Sequence, residues 1–490
     1  PPRSTLSSSS AASDVYKRQK HDLNFFELFF MKVGLGLALF PVVGLLLNII
    51  RVPLDYRVFF VLSLAYPLYS LVRRLFYKKE PLNLKINKIF SIRKSTLIFL
   101  LVFIMFCTTF YVYQKGAFVY PWLEDSDPYG YALVSKYIAL HKTFSADWYF
   151  AHYSVPYTQG YQIVMGALLQ THQYTNWTMK YFNALIISLS IPLFYLFSKE
   201  LFKDRSKALF SSFALFSVTC WLSHFIFSLN FTMVLLIFLF YCYESIELDA
   251  KWKYIALIVV MAIWLSHFNT AVHYFIIFFF YWIVKLLIKS ELNTHLLFSH
   301  FGGIALGIAL FTAPQFIVHT EIVRKAIANQ YTHIGGAAVM FGRLTSNLAV
   351  FFAALSALII ALAVVFAFRE KIEKNLLKPV LSRRFVREGA LLLIVAVIIT
   401  LFLLPVKLVD EPGGCPKPYT IREFIFSQHN SKIDHPTGIG VGLSFLMAAS
   451  VIIMLFNIKK LFKSGSGILA ALPLFILYFL ITNGNSLSIS

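Results

Sequence analysis

Tyr120-Pro-Trp-Leu-Glu-Asp-Ser-Asp-Pro-Tyr-Gly-Tyr131 interrupts a chain made almost wholly of bilayer-length apolar runs. Asp147-Trp148 and Tyr157-Thr-Gln-Gly-Tyr161 follow it, so that one polar excursion extends from Tyr120 to Gln170. It gathers Glu124, Asp125, Asp127 and Asp147. Carboxylates held that close to a membrane face usually have a task, because keeping them there is costly. The rest of the sequence reads as a frame that holds this segment on one side of a bilayer.

Composition supports the frame. Of 490 residues, 58% are hydrophobic and only 14% charged, with a mean hydropathy of +0.70. Soluble domains carry about a quarter of their residues as charges, so an integral membrane protein is expected. Apolar runs fall at 33–50, 56–72 and 96–114 before the polar segment. After it they fall at 178–198, 207–222, 229–246, 253–268, 270–288, 301–319, 346–368, 389–407, 439–457 and 467–482. Each is near the length a helix needs to cross a bilayer, and about twice that of a barrel strand. The expectation is an all-α polytopic protein of about thirteen transmembrane helices.

The net charge of +21 does not point to nucleic acid. Lys and Arg concentrate in short loops, at 73–94 and 369–387 and at Lys199–Lys207, Lys251–Lys253, Lys285–Lys289 and Lys459–Lys463. Counting spans puts all of these on one face, which the positive-inside rule makes cytoplasmic. The loops 115–177, 320–345 and 408–438 are then extracytoplasmic. Cys107, Cys220, Cys242 and Cys415 have neither metal-ligand spacing nor a disulfide pattern. No phosphate-binding glycine loop is present, and Gly302, Gly303 and Gly307 read as close helix packing. Residues 1–19 resemble a translated sequencing adaptor, so the natural chain is expected to begin upstream of Lys20 and to continue past Ser490. Residues 20–95 then form an N-terminal transmembrane pair with its basic loop, and 96–490 the main transmembrane domain.

Asp127 precedes Pro128, a favoured N-cap arrangement, and Pro128–Lys142 reads as a helix with Leu133, Val134, Tyr137, Ile138 and His141 on one face. A carboxylate fixed in that way can act as a base, or bind a metal or an acceptor. Plain solvation explains Glu124 and Asp125 equally well. His224 and Asn230 lie at one outer turn, and His267, Asn269 and His273 at the next, where they could line a shared polar cavity. His319, Arg324, Lys325, His333 and Arg343 supply cations in the 319–345 loop. Such groups grip phosphate, or else anchor a helix end at the interface.

Asp127-Pro-Tyr-Gly-Tyr, the helix after it, Asp147-Trp148 and Tyr157-Thr-Gln-Gly-Tyr161 together resemble the first external loop of GT-C membrane glycosyltransferases. The nearest likeness is to the catalytic subunit of archaeal oligosaccharyltransferases. The chain departs from that pattern in moving the proline of the Tyr-Pro-x-Gly element to Pro156, and in lacking carboxylates from Ser223 to Phe231. Thr420-Ile-Arg-Glu423 resembles the family's Thr-Ile-x-Glu element. The resemblance implies transfer of a sugar or glycan from a polyprenyl phosphate or pyrophosphate to a protein, lipid or glycan acceptor outside the membrane. It implies Asp127 as the key acid, with Glu124 and Asp125 beside it, and Arg324, Lys325 and Arg343 on the donor phosphate. Asp147, His224, His267, His273 and Glu423 would line the cavity or the acceptor side. A divalent metal such as Mg or Mn stays open. The reading from another class is a secondary transporter or lipid flippase, which should show charged residues or broken helices at mid-span and repeated halves.

The topology is testable with single cysteines in a background lacking the native ones. An impermeant reagent on intact cells is expected to label Ser145→Cys and to leave Phe90→Cys unlabelled. The reverse pattern would put the carboxylates in the cytoplasm.

Overall fold

A computed structural model describes residues 23–73, 94–123, 126–145, 159–217, 228–289 and 291–312, with a short helical piece at 369–377 and a few isolated positions. Nearly every described residue is helical, and none lies in a strand. The helices are α1 (Phe25–Ile49), α2 (Tyr56–Val72), α3 (Lys94–Ala117), α4 (Ser126–His141), α5 (Gly160–Leu169) and α6 (Thr175–Phe202). There follow α7 (Arg205–Phe216), α8 (Ser228–Ile246), α9 (Trp252–Ser266), α10 (Phe268–Lys289) and α11 (Thr294–Gly307), the last widening into a π turn at Ile308–Thr312. Among the described residues 5 helices are long and apolar enough to cross a membrane: α1, α3, α6, α8 and α11 with its π turn. The spans expected from 346 onward lie outside the described residues, apart from isolated positions.

Helix starts follow local chemistry. α1 opens on a capping box, in which the Glu27 N–H donates to Asn24 Oδ1 at 2.8 Å and the Asn24 N–H to Glu27 Oε2 at 2.9 Å. α11 begins at Thr294, earlier than hydropathy suggests, because Asn293 Oδ1 accepts from the His295 and Leu296 N–H groups. Asp204 caps α7 in the same way.

The centre of the bundle is α6 lying along α8, with α9 beside α8 and α1 across α9. Phe231, Phe238, Tyr241 and Tyr243 of α8 are fully buried there. α9 and α11 meet through Gly303, where a β-carbon would lie 2.7 Å from the Leu257 carbonyl oxygen. Only a glycine lets those two backbones touch, as the sequence suggested for this run. α2 stays at the edge and exposes Phe60, Val61 and Tyr69, the kind of face that lipid covers.

Described helix ends that carry basic residues meet in one layer, around Lys199–Arg205 and Lys285–Lys289, whereas 459–463, 380–387 and most of 74–93 lie outside the described residues. In that layer Glu27, fully buried, takes Lys199 at 2.8 Å and Arg205 at 3.7 Å. Glu244 takes Lys285 at 2.7 Å and the Tyr281 hydroxyl at 2.8 Å, and Glu247 takes Lys289 at 2.6 Å and Lys285 at 3.2 Å. Burial alone would raise the Glu247 carboxyl, but Lys285 and Lys289 hold it below its ordinary range. These pairs stitch α1 to α6 and α7, and α8 to α10.

Losing one partner of a buried pair strands the other, at about 3–5 kcal/mol. Lys285→Met is therefore expected to lower the melting temperature in detergent clearly, and adding Glu244→Gln to recover much of the loss. A Lys285→Met protein as stable as wild type would show that the pair is solvated.

Candidate functional site

The polar segment between α3 and α6 folds against the opposite layer of helix ends. α4 is described from Ser126, so Asp127 lies inside the helix rather than at its N-cap. The buried face of α4 is Tyr131, Ala132, Val134, Ser135 and Ile138, whereas Leu133 is exposed. His141 is exposed as well, so the expected face is rotated. The reason is that α4 packs on α5 as well as on the bundle: a β-carbon at Gly166 would meet Ile138 at 2.6 Å.

Several bonds tie this layer down. Lys142 is left-handed (φ 56) and ends α4. Its carbonyl accepts from the Leu54 N–H at 2.7 Å, and its ammonium pairs with Asp55. The hydrogen bond from Lys142 holds the Asp55 carboxyl below its ordinary range, helped by the Arg57 N–H. Asn48 Oδ1 accepts from Thr143 Oγ1 at 2.7 Å, and Asn48 Nδ2 donates to Ser145 Oγ at 3.0 Å. Gln170 clasps the α1–α2 turn, donating to the Leu54 carbonyl at 2.7 Å and accepting from the Tyr56 N–H at 2.9 Å.

α5 is the deepest part of the segment. All its residues but Leu168 are buried, among α1, α4, α6 and α9. Gly160 permits this seat, since a β-carbon there would lie 2.8 Å from the Leu265 carbonyl oxygen and 2.7 Å from Ser266 Oγ. Immediately beyond, the chain is extended at His267 and breaks α9 from α10. The His267 Nδ1 accepts from the Thr270 N–H at 3.2 Å and lies 2.6 Å from Thr270 Oγ1, so this imidazole caps α10. The structure thus brings Gly160 against Leu265 and Ser266, just before His267.

A second polar strip lies in the same layer. Lys180, 1% exposed, donates to the Ala117 carbonyl at 2.6 Å and to the Tyr120 carbonyl. It thereby holds the C-terminus of α3 and the approach to Glu124. One turn on, Asn183 donates to the Tyr113 hydroxyl and accepts from Asn230 at 3.2 Å. Ser228 Oγ donates to the Tyr131 hydroxyl at 3.1 Å, and the Tyr131 ring meets Tyr161 edge-on. Lys180, Asn183, Gln159 and Gln162 were not singled out from the sequence. The available signal was a Lys and an Asn three residues apart inside an apolar run.

Other expected site residues fall elsewhere. Glu124, Asp125, Asp147, His224, Arg324, Lys325, Arg343 and Glu423 lie outside the described residues. Asp127 and His273 are placed on α4 and α10 by their backbones alone. Among the described residues no group of His, Cys, Asp and Glu is arranged to hold a metal ion.

Lys180→Met should release both carbonyls, at about 1.5–3 kcal/mol for each charged hydrogen bond lost. The expected readout is faster amide exchange and proteolysis around 118–123, with α8 unaffected. Unchanged protection there would mean that the segment is held without Lys180. Compared with known proteins, the chain matches no family model, no curated protein and no solved structure.

Proposed function

We propose that this chain is a GT-C-type membrane glycosyltransferase of about thirteen spans. It would move a sugar or glycan from a polyprenyl phosphate or pyrophosphate to an acceptor on the extracytoplasmic face. The observation that carries the reading is the seating of α5. The polar segment supplies α5, which is buried among α1, α4, α6 and α9 and packs along the helix that bears Asp127. In this reading the donor's head group would sit at that end of the bundle. Asp127 would orient or deprotonate the acceptor, and cations of the 319–345 loop would steady the departing phosphate. Lipid phosphate is a good leaving group, so no nucleotide is required.

The transporter reading has less support. Among the described residues the buried carboxylates Glu27 and Glu244 are each paired with a lysine at the basic end, and the buried Lys180 at the other end is held by backbone carbonyls. They bind helices together and do not line a path across them.

The test is a side-by-side assay of two neutral variants. Asp127→Asn removes a first-turn carboxylate worth about 0.3–1 kcal/mol of helix stability. If the carboxylate reacts, transfer from a polyprenyl-linked donor should fall by about 100-fold or more. Asp125→Asn should keep both stability and activity. Full activity in Asp127→Asn would remove the acid from the mechanism.

A further inference from the structure

α3 and α6 run antiparallel, and side-chain contacts fix their register at both ends. Phe99 of α3 meets Tyr195 of α6 with ring centroids 6.2 Å apart. Toward the other end Gln114 Nε2 donates to the Tyr181 hydroxyl at 3.0 Å, and Phe118 meets Trp177 at 5.2 Å. One side of α3 packs on α6 and α7. The other exposes Leu97, Leu100, Ile104, Cys107, Tyr111 and Lys115, a stripe that recurs in steps of three and four residues. Of the five candidate spans α3 is the least covered, with 28% of its apolar stretch buried against 83% for α8.

The chemistry of the stripe identifies what covers it. Helices that meet inside a membrane favour small residues, as Gly303 does between α9 and α11, whereas this stripe is mostly large aliphatic and aromatic side chains. It ends in a rim of Tyr111, Lys115, Trp177 and Tyr181, all exposed, the residue types that settle where bilayer meets water. Lys115 Nζ stands 5.8 Å from the centre of the Tyr111 ring. A protein cover would have to bury that ammonium, whereas at a head group it stays solvated while its stem lies on apolar surface. Two lengths agree with this. From Lys94 to Lys115 α3 rises about 31 Å, and from Trp177 to Lys199 α6 rises about 33 Å, at about 1.5 Å per residue. Each matches a hydrocarbon core of about 30 Å.

We propose that the α3 stripe is a lipid-contacting face at the perimeter of the protein, with Tyr111, Lys115, Trp177 and Tyr181 at the level of the head groups. Acyl chains lie along Leu97 to Cys107, and head groups lie at the rim. This goes beyond the glycosyltransferase reading and does not depend on it. Lys180 adjoins the rim on α6, so the two backbone carbonyls it binds lie at head-group depth. The Asn183–Asn230 pair then lies about one turn beneath.

Cys107 offers a native probe of the face, because Cys242 is fully buried. The full chain carrying Cys220→Ser and Cys415→Ser is returned to lipid nanodiscs with a nitroxide on Cys107. Collisions are measured with oxygen, which dissolves among acyl chains, and with a water-soluble nickel chelate. Oxygen is expected to exceed nickel several-fold at Cys107, and a nitroxide at Lys115→Cys, with Cys107→Ser, should shift the ratio several-fold toward nickel. If the two serines unsettle the fold, the Cys107 signal is obtained from otherwise native protein by subtracting a Cys107→Ser control. The fluorescence lost in Trp177→Phe should be quenched several-fold more by lipids brominated near the head group than by lipids brominated at the chain ends. A Cys107 nitroxide that is immobile and meets neither collider would show a protein cover, from a later span or a second copy, and would overturn the proposal. Access of nickel to Cys107 would overturn it in favour of an aqueous path. Trp177 quenched equally at both depths, or more by the chain ends, would overturn the placement of the rim.

Discussion

Close approach of α5 to the backbone of α9 governs the whole loop end. The contact is possible because position 160 has no side chain, and it is maintained because a lipid setting offers no water to Leu265 or its neighbours. Once α5 is seated, the other positions are constrained in turn. α4 must cover it, Gln170 must reach the α1–α2 turn, and Tyr131 and Tyr161 must meet. A larger residue at 160 would lift the helix and undo these contacts as a group.

The two ends of the bundle solve the burial of polar groups differently. At the basic end, charge meets charge at short range, and Glu27, Glu200, Glu244 and Glu247 each have at least one ammonium. Such pairs fix which helices are neighbours, because any other arrangement leaves an ion alone in a poor solvent. At the loop end the joints are mostly neutral: amides, hydroxyls and backbone carbonyls. Neutral joints are weaker and cost less to break than the buried ion pairs of the other end.

Much of this was legible in the sequence. Apolar run lengths located most of the described helices. The close-packed glycine at 303 was read from its setting alone. The start of α4 was misjudged, since an Asp before Pro fits a cap and a first turn equally well, and periodicity cannot separate them. Gln159, Gln162 and Lys180 escaped notice for a different reason. A Gln or Lys near the start of an apolar run looks like an interfacial anchor, and only three-dimensional packing reveals it as buried. The expected spans continue to residue 482, and Glu124 and Asp125 lie outside the described residues.

Glu27 has a consequence for how the chain is assembled. Its carboxylate enters the membrane with α1, but the ammonium of Lys199 that neutralises it is 172 residues further along. Until α6 has been synthesised, α1 holds a charge whose only local satisfaction is its own capping box. Lys199 and Arg205 can therefore neutralise Glu27 only once α6 and the start of α7 have been made, so the ion pair that joins α1 to them closes after the intervening chain is synthesised.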